Sequence, residues 1–181
     1  MKLSRGLFFL LPVLLAGSMV LLTGCQEKVS PTKLTYEMGE RVVNGPLTYV
    51  IVDSRWKTQL GEGLDVRSPQ ERYLIINISV TNGGASELSL PSLALEGFDG
   101  KTYKELTDGK GVPNWIGLLR SVAPAATLQG AIVFDVPLKS FRLPLPNGGD
   151  IGEEKFALVD IPLRIDADSA VQAPIPGDLT K

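Results

Sequence analysis

Two segments of the chain alternate apolar and polar residues with a period of two. In residues 74–80, every second residue is a large aliphatic one, and Asn82-Gly83-Gly84 follows as a turn signal. Residues 127–136 repeat the alternation, and Pro137 comes directly after them. This period, with β-branched residues on one face, predicts half-buried β-strands. Because proline cannot donate a hydrogen bond to a neighbouring strand, the second strand is predicted to end before Pro137.

Five further segments have weaker strand patterns, and turn residues separate them: residues 47–56, 93–98, 102–105, 141–145 and 155–163. Asp99-Gly100 lies between two of these segments and is typical of a β-hairpin turn. No segment long enough for a substantial helix has apolar residues at helical spacing. About seven or eight short strands with regular turn signals predict an all-β fold, an immunoglobulin-like antiparallel β-sandwich.

The N-terminal region has a different pattern, in which a basic start leads into a long apolar run. Lys2 and Arg5 precede the run, and Leu22-Thr23-Gly24-Cys25 closes it. This is the layout of a secretory signal with a small-residue cleavage site. The closing stretch resembles the lipobox of bacterial lipoprotein signals, which reads Leu, a small residue, Gly or Ala, then Cys. The resemblance implies cleavage before Cys25 and lipidation of its thiol, with acyl chains such as palmitate.

An alternative is that residues 1–24 form a single transmembrane anchor, because the apolar run is nearly long enough to span a bilayer. The polar and small residues in its last third and the polar Gln26 after Cys25 favour a cleaved signal. Cys25 is the only cysteine and cannot form an intramolecular disulfide, so acylation also gives it a role. Gln26 stands where aspartate would suggest retention at the inner membrane. The lipoprotein resemblance therefore implies an outer-membrane location facing the periplasm in a two-membrane bacterium.

The remaining sequence divides into a tether, one domain and a tail. Cys25 and residues 26–36 are predicted to be a lipidated tether, residues 37–165 the β-sandwich, and residues 166–181 a flexible tail rich in proline. Without residues 1–24, the chain has 157 residues, which is enough for one domain with its own core. Its formal charge is 16 minus 20, or −4, because the signal carries two of the 18 basic residues. A mildly acidic chain argues against a nucleic acid as partner.

The order of the strand and turn motifs resembles a known family of domains. Tyr73–Asn82 is similar to its alternating strand that ends in Thr-Asn, and Leu95–Tyr103 is similar to its Asp-Gly-Lys hairpin. Val122–Pro124 and Gly130–Pro137 are similar to its proline turn and its Val-Phe-x-Val-Pro strand end. The family is the telokin-like, immunoglobulin-like domain of unknown function of bacterial lipoproteins and secreted proteins, and a mycobacterial secreted antigen has the same kind of fold. This chain has Ala125-Ala126 where the family usually has Gly-Glu. The resemblance implies a fold and carries no catalytic residue with it.

The residue types limit the chemistry that the chain can perform. It has no histidine, which excludes Ser-His-Asp and Cys-His catalysis and histidine metal sites. Ser54 and Lys57 have a Ser-x-x-Lys spacing, but residues three apart on a strand point to opposite faces. Ser30 and Lys33 have the same spacing within the tether. The aspartates beside glycines lack the spacing of a calcium loop, so we predict no metal site. Because the usual acid–base residues are also missing, we predict no cofactor and no enzymatic activity.

Residues 108–120 form a long connection that contains the candidate contact residues Trp115, Ile116, Leu118 and Leu119. Long loops with exposed aromatic and aliphatic residues often bind partners. The alternative is that this segment folds back and plugs one end of the sandwich. Trp56, which ends a predicted strand, is expected to pack in the core or at an edge.

These sequence features favour two noncatalytic hypotheses; the third alternative is a metal-dependent enzyme that would use carboxylates and backbone oxygens. The first is a lipid-anchored, noncatalytic binding or structural domain that meets a protein partner in the cell envelope. The second is an accessory lipoprotein subunit of an envelope or secretion assembly. Both hypotheses place the protein contact on residues 108–120.

Overall fold

The computed structural model describes residues 35–149 and 155–164, all of which belong to the compact unit Lys33–Lys181. Regular structure in these residues is β-strand, apart from one 3-10 turn at Gly63–Asp65. The strands are β1 (Thr35–Glu37), β2 (Arg41–Asn44), β3 (Leu47–Lys57), β4 (Tyr73–Asn82), β5 (Leu88–Leu90), β6 (Ala94–Gly97), β7 (Thr102–Lys104), β8 (Arg120–Val122), β9 (Thr127–Asp135), β10 (Phe141–Pro146) and β11 (Phe156–Ile161).

Two larger sheets pack against each other as a β-sandwich. One has five strands in the order β1-β11-β10-β6-β7, and the other has four in the order β2-β3-β4-β9. β5 and β8 form a separate two-stranded sheet. The pairs are antiparallel except that β1 runs parallel to β11. This edge pair departs from the wholly antiparallel arrangement that the sequence predicts.

The alternation along β4 places its even-numbered residues in the core between the sheets. The side chains at positions 74, 76, 78 and 80 are at most 2% exposed. They pack in one cluster with Phe141, Leu143 and Leu145 of β10, which belongs to the opposite sheet. Burial of these apolar side chains is the main term that stabilises the sandwich. Trp56 belongs to the same cluster and is 4% exposed, as expected.

All seven segments with a strand pattern are strands in the structure, so the predicted all-β sandwich is confirmed. Pro137 lies just beyond the end of β9, and Gly100, with a φ of 78°, occupies the predicted Asp-Gly turn. The described residues contain eleven strands rather than seven or eight. The additional strands are β1, β2, β5 and β8. Each has only three or four residues, which gives a weak period of two. β6 and β7 are equally short, but the Asp99-Gly100 turn signal between them identifies them in the sequence.

β4 and β9 are buried on both faces over part of their length, although the sequence predicts half-buried strands. Tyr73 and Ile75 of β4 and Ala131 and Val133 of β9 point away from the core, and each is at most 8% exposed. Together with Leu60 and Val112 they form a second apolar cluster, here called the outer cluster. A segment from elsewhere in the chain must therefore cover this half of the sheet.

Several predictions fall outside the described residues. These are the signal in residues 1–24, the lipidated Cys25, most of the tether, and the tail from residue 166 onward. Within the described part of the chain, no helix is long and apolar enough to cross a membrane.

Candidate functional site

Residues 106–119 leave β7 and run along the outer side of β9 before they enter β8; we call them the crossing loop. The Leu106 amide donates to the Val133 carbonyl at 2.8 Å. The Ala131 amide donates to the Asn114 carbonyl at 2.8 Å, and the Ile116 amide donates to the Ala131 carbonyl at 3.1 Å. These bonds satisfy backbone groups at the outer edge of β9, where an exposed edge could otherwise pair with another chain.

Local backbone geometry lets the crossing loop approach the sheet closely. Asn114 has a φ of 54°, in the left-handed region where asparagine is one of the better tolerated residues. A side chain at Gly109 would collide with the Trp115 ring, and one at Gly130 would collide with the Asn114 carbonyl. No side chain fits at either position. The two glycines therefore allow the indole and the loop backbone to pack against the strands.

A buried ion pair closes the base of the crossing loop. The side chains of Glu105 and Arg120, which lie immediately before and after the loop, are 0% and 1% exposed. Arg120 Nη2 lies 2.6 Å from Glu105 Oε2 and also donates to the Pro91 carbonyl at 3.1 Å. Glu105 Oε2 accepts a further hydrogen bond from the Leu93 amide at 3.1 Å. Each charge is paired and hydrogen-bonded, as burial in an apolar interior requires.

Two ion pairs at the surface connect the beginning of the crossing loop to residues 60–67. Arg67 Nη1 lies 2.8 Å from Asp108 Oδ2, and Lys110 Nζ lies 2.7 Å from Asp65 Oδ1. The second pair is more than 60% exposed on both sides, so its contribution to stability is small. The loop is thus held by backbone hydrogen bonds, by apolar packing and by the buried pair at its base.

The four predicted contact residues occupy different environments. Trp115 packs on the outer cluster, and Ile116 packs against the main core; both are half-buried. Leu118 is also half-buried, whereas Leu119 is fully exposed, at 103%. The Trp115 indole nitrogen is buried and has no hydrogen-bond partner among the described residues. The loop covers the outer face of the four-stranded sheet rather than one end of the sandwich, and a role for these residues in partner contact stays a prediction.

A shallow concavity of about 660 Å³ lies where the crossing loop meets the uncovered part of the same sheet face. Asn114, Trp115 and Ile116 line it from the loop, and Val52 and Gln129 line it from the sheet. Val52 is 58% exposed. The concavity therefore combines amide side chains with exposed aliphatic surface.

Polar side chains on this face are paired across the strands. Asn77 donates to Asp53 at 2.6 Å, and Gln129 donates to Ser79 at 3.2 Å. The charge of the Asp53 carboxylate is balanced by Arg55, whose Nη2 lies 3.0 Å from Asp53 Oδ2. No group of three or more His, Cys, Asp or Glu side chains in the described residues is close enough to hold a metal ion.

The Ser-x-x-Lys pair does not come together in β3. Ser54 is buried and its hydroxyl lies 3.7 Å from the Met38 sulfur, whereas Lys57 is exposed. The two side chains thus lie on opposite faces of the strand, as their spacing predicts.

Sequence reasoning missed the pairing of Glu105 with Arg120. One signal was present, since Arg120 shares its strand face with Val122, which is buried. A charged residue at an inward position implies a buried partner. The identity of that partner depends on contacts between residues that are 15 apart in the sequence.

The described fold is similar to several solved structures. The yjhA protein from Bacillus subtilis matches with a TM-score of 0.53 and 15% identity over 70% of this chain and 98% of that chain. A candidate lipoprotein, ycdA, from Bacillus subtilis matches with a TM-score of 0.55 and 15% identity over 71% of this chain and 40% of that chain. The secreted protein MPT63 from Mycobacterium tuberculosis has a TM-score of 0.47 and 16% identity over 74% of this chain and 99% of that chain.

At these identities, the two matches with TM-scores above 0.5 show a shared fold and nothing more. A family model described as "Domain of unknown function (DUF4352)" matches residues 36–151, which is more than half of the chain. A comparison with curated proteins found no match.

Proposed function

The chain belongs to the DUF4352 family, and we propose that it is a membrane-anchored bacterial lipoprotein with a noncatalytic binding or structural domain. The observation that carries the proposal is the sequence Leu22-Thr23-Gly24-Cys25 at the end of an apolar N-terminal run. We further propose that the β-sandwich is a form of the telokin-like, immunoglobulin-like fold, which the order of its strand and hairpin motifs supports. The family description assigns no activity.

Acylation of Cys25 accounts for attachment to the membrane. One acyl chain gives only marginal binding, at about 0.8 kcal/mol per buried methylene, whereas several chains together are effectively permanent. Gln26 at the next position supports sorting to an outer membrane that faces the periplasm, in a two-membrane cell. Cys25→Ser removes the sulfur that forms the lipid thioether. The variant should therefore leave the detergent phase in phase partitioning, and it should not incorporate labelled palmitate. Identical partitioning of both proteins would refute the lipoprotein assignment.

The surface proposed for contact with an envelope protein is the exposed end of the crossing loop and the concavity beside it. Leu119 supports this proposal because a fully exposed leucine lies on a loop that is held at its base by a buried ion pair. Because the base of the loop is already held in place, less backbone entropy is lost when such a residue joins a contact.

Photo-crosslinking in cells tests this surface directly. A photo-reactive amino acid at position 119 should give a discrete adduct with an envelope protein. The matched control is position 138, a leucine in the connection between β9 and β10 that is 43% exposed. Equal adducts at both positions, or adducts at position 138 alone, would refute the contact surface. An adduct with a subunit of a multiprotein envelope assembly would support the accessory-subunit hypothesis.

A further inference from the structure

The five-stranded sheet opens between β6 and β10 on its outer face. Direct pairing between these two strands is limited to Phe141 with Gly97 and Arg142 with Glu96. Beyond Arg142, β10 continues with Pro144 and Pro146, which have no amide hydrogen to donate. Proline is normally confined to sheet edges for this reason, and β10 is an inner strand. The prolines therefore separate the two strands and leave a groove.

The groove is apolar and has a volume of about 270 Å³. Phe156, the largest side chain along it, is 50% exposed. The residues that line the groove are Pro91, Ser92, Leu93, Ala94, Glu96, Pro144, Pro146, Phe156 and Leu158.

The outer face of this sheet is divided into an apolar half and a charged half. In the charged half, Glu37, Asp160, Arg142 and Glu96 are neighbours in register across four strands. In the apolar half, Leu158 lies opposite Pro144, and Phe156 lies opposite Pro146. A face of this kind can turn its two halves toward different surroundings, one apolar and one aqueous.

The chain enters the domain at the apolar half. Thr35, the first residue of β1, lies beside Leu158, and β1 runs parallel to β11, so β1 begins near the Phe156 end of β11. Ten residue steps separate Cys25 from Thr35, so the tether can extend to at most about 33–36 Å. The apolar half therefore lies at the end of the domain nearest the proposed lipid anchor.

We propose that the apolar half of this sheet face rests on the lipid surface, with Phe156 inserted at the boundary between headgroups and acyl chains. This inference rests on the proposed acylation of Cys25. The side chains of Pro144, Phe156 and Leu158, which line the apolar half, carry no charge. The contact is therefore apolar in origin, and it should form on zwitterionic vesicles and persist at high salt.

The test uses the full acylated chain in phosphatidylcholine vesicles, with either plain or brominated acyl chains. Bimane is attached to Phe156→Cys, and the control is Phe98→Cys. Phe98 is 59% exposed and follows β6 at the opposite end of the same sheet face. Bromine in the acyl chains should at least halve the emission from position 156 and leave the emission from position 98 nearly unchanged. Ser92→Cys, at the rim of the groove, provides a second reporter, and thermal melts verify that each variant is folded.

The outcomes separate this inference from the proposed function. If the protein floats with the vesicles but bromine quenches neither position 156 nor position 92, the lipid contact is refuted and the anchor stands. Such a result would leave the groove to a protein partner. Equal quenching at positions 156 and 98 would also refute the proposed orientation. If bimane labels the parent chain at Cys25, the thiol is free and the lipoprotein assignment itself fails.

Discussion

Glu105 and Arg120 face each other across the base of the crossing loop, with 2.6 Å between Glu105 Oε2 and Arg120 Nη2. Fourteen residues lie between them in the sequence. Both side chains are almost completely buried. The entropic cost of closing a loop grows only slowly with its length, so a loop of this size adds little to that cost. The pair thus joins the two ends of the crossing loop within the protein interior.

The buried pair should be costly to break from one side. Glu105→Gln leaves the Arg120 guanidinium without its counter-ion, and loss of one partner of a buried pair typically costs about 3–5 kcal/mol. Urea unfolding measures this loss. Lys110→Ala, which breaks the exposed pair with Asp65, is the control and should cost about 0–1 kcal/mol. Equal midpoints for the two variants would mean that the buried pair does not stabilise the loop.

Because adjacent residues of β4 point to opposite faces, two adjacent substitutions should have very different effects on stability. Ile78→Asp places a charge at a position that is 2% exposed, with a cost comparable to the whole stability of a domain. Ser79→Asp points to solvent on the uncovered part of the sheet face and should change the free energy of unfolding by no more than about 0.5 kcal/mol. Thermal melts compare them. Similar melting temperatures would show that the strand faces are wrongly assigned.

Substitutions of Trp115 and Leu119 should differ in their effect on stability, because Trp115 is packed on the sheet and Leu119 is exposed. Trp115→Ala removes an indole from the outer cluster and should cost up to about 3 kcal/mol, somewhat less than for a completely buried tryptophan. Leu119→Ala changes a fully exposed side chain and should leave the unfolding midpoint unchanged while weakening cross-linking to a partner. If Trp115→Ala leaves the unfolding midpoint unchanged, packing of the indole does not stabilise the fold. Such a result would favour Trp115 as a residue for partner contact.

Tyr49 should make stability depend on alkaline pH. Burial raises the pKa of its hydroxyl well above the ordinary value, and the nearby Arg120 charge opposes the shift. The hydroxyl donates to the Pro146 carbonyl at 2.7 Å. Because the folded state holds the proton more tightly, this stabilisation is complete below the unfolded pKa of about 10 and is lost as pH rises above it.

Tyr49→Phe removes this titration. The difference in unfolding free energy between the parent and the variant should therefore shrink above a pH of about 10. The contributions of the other titrating groups are the same in both proteins and cancel in this difference. Unfolding in urea at several alkaline pH values gives the two curves. A difference that is constant with pH would contradict a raised pKa at Tyr49.

The sequence by itself determined the strands that have a clear period of two and the faces they bury. The even-numbered residues of β4 are inward because side chains alternate strictly along a strand, which is a local property of the backbone. The same locality explains why Asp99-Gly100 and Pro137 end their strands as predicted. The stretch Leu22-Thr23-Gly24-Cys25, which resembles a lipobox, is also a local pattern, and acylation of Cys25 stays a prediction.

Only the tertiary structure decided what covers the outward faces. Tyr73 and Ile75 are buried because the crossing loop, more than 30 residues later in the sequence, packs over them. The pairing of Glu105 with Arg120 and the gap that Pro144 and Pro146 open beside β6 likewise depend on which segments become neighbours. A period of two distinguishes the two faces of a strand, but it does not specify which distant segment packs on each face.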